Sequence, residues 1–234
     1  MSHDLRFRSS RRTVALTPEH LADLPALASC VAWQVEDVRR LALSRAARVE
    51  TKADWVRTVS TEWGTCGHVV LDHGVAVAGI VYAPSAWLPG LTSLPTAPVS
   101  PDAVAVVSLY VDPERRGRGL TRLLVQTAAA AVVSRRDAGE GSLHALEAFA
   151  DTRGGRDCED GTRCLLPVEV WERLGFTTQR AHPTTPRLRL DVRTTTRWAE
   201  AGAAWGRFGQ VVRPRPIAET PRAIRSVGEA LRVG

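Results

Sequence analysis

The sequence of 234 residues has no asparagine, only one lysine (Lys52), two tyrosines (Tyr82 and Tyr110) and no methionine beyond Met1. With one lysine in all, a nucleotide-phosphate loop of the Gly-Lys-Ser/Thr kind is excluded, since Lys52 follows no glycine-rich stretch. Four cysteines (Cys30, Cys66, Cys158, Cys164) are scattered too widely for a disulfide framework. The five residues between Cys158 and Cys164 exceed the usual two to four of a zinc pair, so reduced loop cysteines and no metal are expected. No apolar run approaches the ~18–20 residues that would span a bilayer. The first twelve residues are polar and arginine-bearing, without the apolar core of a secretory signal. A soluble, cytoplasmic protein without membrane contact is expected.

What is present is ordinary in bulk, with 44% hydrophobic and 24% charged residues. The net charge of +6 is a moderate excess carried almost wholly by arginine. It suits an acidic small ligand, and it is not the dense basic block of a nucleic-acid binder. Abundant Ala and Arg without Asn suggest GC-rich coding, so part of the arginine excess carries no function.

Hydrophobic periodicity divides the chain into a tail (1–12), a mixed α/β domain (13–192) and a helical extension (193–234). Strands are expected at Thr13–Leu16, His68–Leu71, Val75–Tyr82, Val104–Val111, His144–Phe149, Phe176–Ala181 and Arg187–Asp191. Helices are expected after Thr17-Pro18, over Val38–Arg48 and Lys52–Trp63, from Gly119 to Arg136, and at Pro167–Leu174 before Gly175. Leu120, Leu123, Leu124, Thr127, Ala128 and Ala131 form the stripe proposed for the fourth of these. Pro84–Pro101 and Asp151–Cys164 read as loops. In the extension, Trp198, Ala201, Trp205, Phe208 and Val212 lie on one helical face, which would dock on the domain or on a second subunit of a homodimer.

One segment carries chemistry. The β-branched run Val104–Val111 ends at Pro113, and Arg116-Gly117-Arg118-Gly119-Leu120-Thr121 follows, opening directly into a helix. Glycines let backbone approach a ligand closely. The unpaired amides and positive dipole end of the helix make that turn an anion site. A dinucleotide fingerprint does not fit, because Arg122 stands where its third glycine belongs.

These residues, with Leu123-Leu124 after them, resemble motif A of the GCN5-related N-acetyltransferase (GNAT) superfamily, whose pattern is Gln/Arg-x-x-Gly-x-Gly/Ala. Thr121 departs from the last position. Glu169-Val170-Trp171-Glu172-Arg173-Leu174-Gly175-Phe176 resembles the family's motif B. The resemblance implies an α+β fold in which helices flank a central mixed, mostly antiparallel sheet. It implies an acetyl-CoA cosubstrate whose pyrophosphate is held by the amides of Arg116, Gly117, Arg118, Gly119, Leu120 and Thr121. The backbone of Leu109, Tyr110 and Val111 would pair with the pantetheine arm. It further implies transfer of an acetyl or related acyl group to a primary amine of a small molecule or a protein.

Catalytic groups are harder to place. The family's usual motif B tyrosine acid is replaced by Trp171, whose indole N–H donates but does not ionise usefully. The strand Val104–Val111 offers only Ser108 as an inner polar residue. Glu147, within Leu146-Glu147-Ala148-Phe149, is the candidate general base, ahead of Asp151 and His144, because apolar surroundings raise a carboxyl pKa. Structural pairing of Glu147 with an arginine is the competing expectation, and a catalytically weak coenzyme A-binding sensor is the competing function. Trp33, Trp55 and Trp63 fall in a region that in this family often borders the acceptor pocket, although core packing is their simpler role.

Overall fold

A computed structural model describes residues 11–139, 142–157 and 163–192. The extension expected from residue 193 onward lies outside the described residues. The strands are β1 (Arg12–Ala15), β2 (Gly67–Asp72), β3 (Val75–Ala83), β4 (Ala103–Val111), β5 (Ala145–Asp151), β6 (Arg156–Asp157), β7 (Arg163–Pro167), β8 (Thr177–Arg180) and β9 (Arg187–Asp191). They form one sheet in the order β1-β2-β3-β4-β5-β7-β6, with β9 pairing both β5 and β8. Only β4–β5 and β5–β7 are parallel. Helices α1 (Pro25–Ser29), α2 (Asp37–Leu41), α3 (Arg45–Glu62), α4 (Leu120–Asp137) and α5 (Val168–Arg173) complete the fold. The architecture is the mixed α/β sheet, mostly antiparallel and flanked by helices, that the periodicity and motifs imply.

Strand alternation sends side chains into two cores. On one face, Ala105 and Val107 of β4 and Phe149 of β5 meet Leu24 and Leu27 and the α3 residues Val56 and Val59. On the other, Val104, Val106, Leu146 and Ala148 meet α4 and α5. β4 and β5 are parallel, so a crossover must join them, and α4 supplies it.

The α4 stripe is rotated from the one read in the sequence. Leu120, Leu124, Val125, Ala128, Ala129 and Val132 are buried, whereas Leu123 is exposed. Where every second or third residue is apolar, neighbouring stripes look alike, and contact with the sheet selects one.

Two expected helices over 38–63 are instead a short α2 and one long α3, which starts where Ser44 Oγ accepts from Ala47 N at 3.2 Å. The Asp151–Cys164 loop also needs correction, because Arg156–Asp157 and Arg163–Pro167 pair as β6 and β7. Cys164 is disulfide-bonded rather than reduced. Cys30 and Cys66 are buried and not in a disulfide.

Candidate functional site

Between β4 and β5 the sheet opens. Their parallel pairing runs from Ala103↔Ala145 to Val106↔Ala148 and stops there. β4 continues beside β3 as far as Ala78↔Val111, while the end of β5 pairs with β7 at Ala150↔Leu166 and Asp151↔Pro167. From Val107 onward β4 therefore has no strand partner on its β5 side among the described residues, and alternate backbone groups at Leu109–Val111 are left for another partner. Burial changes at the same place: β4 is buried through Val107 and only half-buried from Ser108 to Val111.

The turn that follows is held from its strand side. Asp112 N donates to Val77 O at 2.9 Å, and Asp112 Oδ1 accepts from Glu114 N at 2.9 Å. Arg115 is drawn away, its guanidinium donating to Asp72 Oδ2 at 2.7 Å. Gly117 and Gly119 then adopt φ of +73° and +75°, a region that only glycine enters without strain. A Cβ on either would meet nothing within 4 Å, so conformation and not packing demands glycine here.

α4 begins at once, with no side chain among the described residues capping its first turn and Leu123 N donating to Gly119 O at 3.1 Å. Arg116, Gly117, Arg118 and Gly119 are exposed, and Leu120 turns inward. Open amides, the dipole of a helix of 18 residues and exposed guanidinium groups together suit a diphosphate. Arg122 ties the turn to the neighbouring helix, donating from Nη2 to Arg173 O at 3.1 Å.

The open edge of β4 leads into a small cavity. Val106–Leu109 form one wall, Phe149 and Cys164–Leu166 another, and Trp33, Leu91 and Trp171 close it. α5 is stopped by Gly175 at φ +92°, with Phe176 N donating to Trp171 O at 3.1 Å. This reversal sets the Trp171 ring edge-on to Phe176 at 5.0 Å. Three of the lining residues carry shielded polar atoms without a partner: Trp33 Nε1, Ser108 Oγ and Trp171 Nε1. A buried donor left unpaired costs about 1–3 kcal/mol, so such a grouping fits a ligand that accepts hydrogen bonds.

Glu147 sits elsewhere. It is fully buried, and it pairs with Arg187 Nε at 3.2 Å and Arg189 Nη1 at 3.2 Å. It also accepts from Ser100 N at 3.0 Å. Arg189 in turn chelates Asp102 through Nη1–Oδ1 at 2.9 Å and Nη2–Oδ2 at 2.7 Å. That chelate holds the Asp102 carboxyl below its ordinary range and the Arg189 guanidinium above its own. Both oxygens of Glu147 are engaged, and the residue does not line the cavity.

Asp151, the second base candidate, caps its own turn by accepting from Arg153 N at 2.7 Å. Of the candidate residues, Leu109 lines the cavity, Tyr110 and Val111 continue the β4 edge toward the turn Arg116–Thr121, and Glu147 is outside the cavity lining. Leu91, Phe149 and Leu165–Leu166 were missed by sequence reasoning. Phe149, two positions beyond Glu147 on the same strand face, was the one with a visible signal.

Among the described residues no group of three or more His, Cys, Asp or Glu side chains could hold a metal ion. None of their helices is long and apolar enough to cross a membrane.

Residues 30–153, more than half of the chain, match the model of the acetyltransferase (GNAT) family. The chain belongs to that family. Among solved structures it is similar to a bacterial toxin (15% identity, TM-score 0.50, covering 82% of this chain and 96% of that one). It is also similar to the PaiA N-acetyltransferase of Thermoplasma acidophilum, crystallised with coenzyme A (11% identity, TM-score 0.49, covering 78% and 99%). A third is the acetyltransferase YncA of Salmonella typhimurium, crystallised with acetyl-CoA (15% identity, TM-score 0.49, covering 79% and 95%). No curated protein sequence matches the chain.

Proposed function

We propose that this chain is an N-acyltransferase that moves an acetyl group from acetyl-CoA to a primary amine. One observation carries the reading. The open edge of β4 begins at the cavity with unpartnered donors and runs on to the turn that precedes the start of α4. Backbone amides of Arg116–Thr121 would hold the diphosphate, with charge added by Arg116 and Arg118. The open β4 edge at Leu109–Val111 would pair with the amides of the pantetheine arm, as a missing strand would. Acetyl-CoA, when bound, supplies an activated acyl group on a thiol of fair leaving ability.

The chain's own contribution at the reacting end is hydrogen bonding. Ser108 Oγ and Trp171 Nε1 would be available to thioester oxygen and sulfur, both of which only accept. Trp171 can stabilise a departing thiolate by donation but cannot deliver a proton. Glu147 acts in this account on structure, fixing β9 against β5 through Arg187 and Arg189. The proton released on acylation therefore goes to water, a route open to amines that reach the site already neutral.

Thiol release from acetyl-CoA over a broad amine panel, with the acylated product identified by mass spectrometry, tests the reading. Amine-dependent release supports it, and binding without turnover on every amine would refute catalysis. That second outcome would favour a coenzyme A-binding sensor, the reading that the tryptophan in place of tyrosine and the sequestered Glu147 both support.

A further inference from the structure

The turn between β4 and α4 is loosely built for an anion site. Arg116–Gly119 are exposed, and a Cβ on Gly117 or Gly119 would meet no neighbour within 4 Å. Arg115 N donates to Asp112 O at 2.9 Å and Arg116 N to Pro113 O at 3.4 Å, both within the turn itself. From Pro113 to Gly119, one hydrogen bond among the described residues reaches beyond the turn and α4. It is the bond from Arg115 Nη1 to Asp72 Oδ2, at 2.7 Å.

The β2–β3 hairpin places Asp72 there. His73 and Gly74 form its two-residue loop at φ +52° and +87°, and Asp72 pairs with Val75 across it. Positive φ at both loop residues matches the twist of the flanking strands. The hairpin ends beside the end of β4, where Ala78 pairs with Val111 and Asp112 N donates to Val77 O at 2.9 Å. Asp72 is 8% exposed. Arg11 Nε lies 3.7 Å and His73 Nε2 3.8 Å from its carboxylate, and Arg115 is closer than either. A buried carboxylate one side chain away from a diphosphate site opposes the ligand by its charge. What it offers in return is a short, charge-assisted bond of fixed direction.

From this geometry we infer that Asp72 and Arg115 are positioning residues of the acetyl-CoA site. The inference rests on the acetyl-CoA reading above and adds the pair that shapes its diphosphate turn. Their bond anchors the turn to the hairpin, so the amides of Arg116–Thr121 are ordered before the donor arrives. A turn with two glycines that lacked the anchor would lose its freedom on binding, and affinity would fall. Arg115 acts through Asp72 and not by touching phosphate.

Charge and positioning predict opposite signs at Asp72. By charge alone, removing the carboxylate leaves the site more positive and tightens an anionic donor, whereas removing Arg115 weakens it. If the bond positions the turn, either loss weakens binding. The two losses then do not add, because both break the same bond.

The test is calorimetric titration of acetyl-CoA into the full chain at about 0.15 M salt, where distant charges are screened. Asp72→Ala and Arg115→Met should each raise Kd about tenfold, the scale of one charge-assisted bond. The double variant should be no more than about twofold weaker than either. Asp72→Asn, nearly the same in volume, should weaken binding about fivefold, and Asp72→Glu, which again offers Arg115 a carboxylate, should stay within about twofold of native. A thermal melt of each variant reports that it is folded.

Asp72→Ala or Asp72→Asn at native affinity or tighter would overturn the inference, as would additive losses in the double variant. A glutamate variant as weak as the alanine one would overturn it too. Each of these leaves the donor reading intact, whereas absence of acetyl-CoA binding by the native chain would remove both.

Discussion

Replacing Glu147 by Gln separates the structural role of this residue from a catalytic one. In the native protein its buried carboxylate faces Arg187 at 3.2 Å and Arg189 at 3.2 Å, and Ser100 N donates to it at 3.0 Å. Glutamine keeps an oxygen for Ser100 and nearly the same volume, so the change is one of charge. Arg189 retains its two bonds to Asp102. Arg187, whose side chain is 10% exposed, loses its carboxylate partner.

Removing one partner of a buried pair costs about 3–5 kcal/mol. The surviving Asp102 chelate places the expected loss near the lower figure. At about 2–4 °C per kcal/mol for a domain of this size, Tm should fall by about 6–12 °C. Circular dichroism during heating reads the first quantity, and thiol release from acetyl-CoA at 25 °C reads the second. Because Glu147 does not line the cavity, kcat should change less than about threefold and its pH profile should keep its shape. Pairing the substitution with Arg187→Met should restore part of the lost Tm, since no buried charge is then left alone. An unchanged Tm with a kcat reduced a hundredfold would refute this reasoning and make Glu147 the base.

Two further predictions concern buried titratable groups. Burial lowers His68 from 6.5 to about 4, and its Nδ1 is 3.2 Å from the Tyr82 hydroxyl. The unfolded chain therefore binds a proton that the folded chain refuses. Stability is complete above pH 6.5 and falls as pH drops toward about 4, by at most about 3 kcal/mol. Denaturant titrations across that window should show the loss, and His68→Gln should remove it; an identical slope in the variant would contradict the assignment.

Lys52, the sole lysine, is fully buried, donates to Cys30 O at 2.8 Å and is lowered by burial to about 8. An amine-acylating reagent at pH 7 should label it only after denaturation, as peptide mass mapping would read. Labelling in the folded protein would show that the helix α3 packing described here is wrong.

The strand–turn–helix motif proposed to hold a phosphate is legible in the sequence because local rules govern it. Two glycines at positive φ, a proline ending a strand and a helix start are all short-range features. What escaped was long-range. The expected loop Asp151–Cys164 takes in β6 and the first two residues of β7, and only the pairing of β7 with β6 and with the end of β5 makes it a strand.

Glu147 looked like a base because its strand neighbours are apolar. The arginines that claim it lie 40 and 42 positions later, on β9. The cavity likewise joins Trp33, Phe149 and Trp171, which no local pattern connects.

The central claim is that peptide nitrogens at the start of α4 grip a diphosphate, and Gly119→Asp tests it most directly. Gly119 is the residue before the first helical position and lies at φ +75°, so the substitution costs about 1–2 kcal/mol of backbone strain while its carboxylate sets a like charge in the anion site. Calorimetric titration should find acetyl-CoA bound by the native chain and at least about a hundredfold weaker in the variant, with Tm lowered by only about 2–8 °C. Equal affinity in the two proteins would contradict the account.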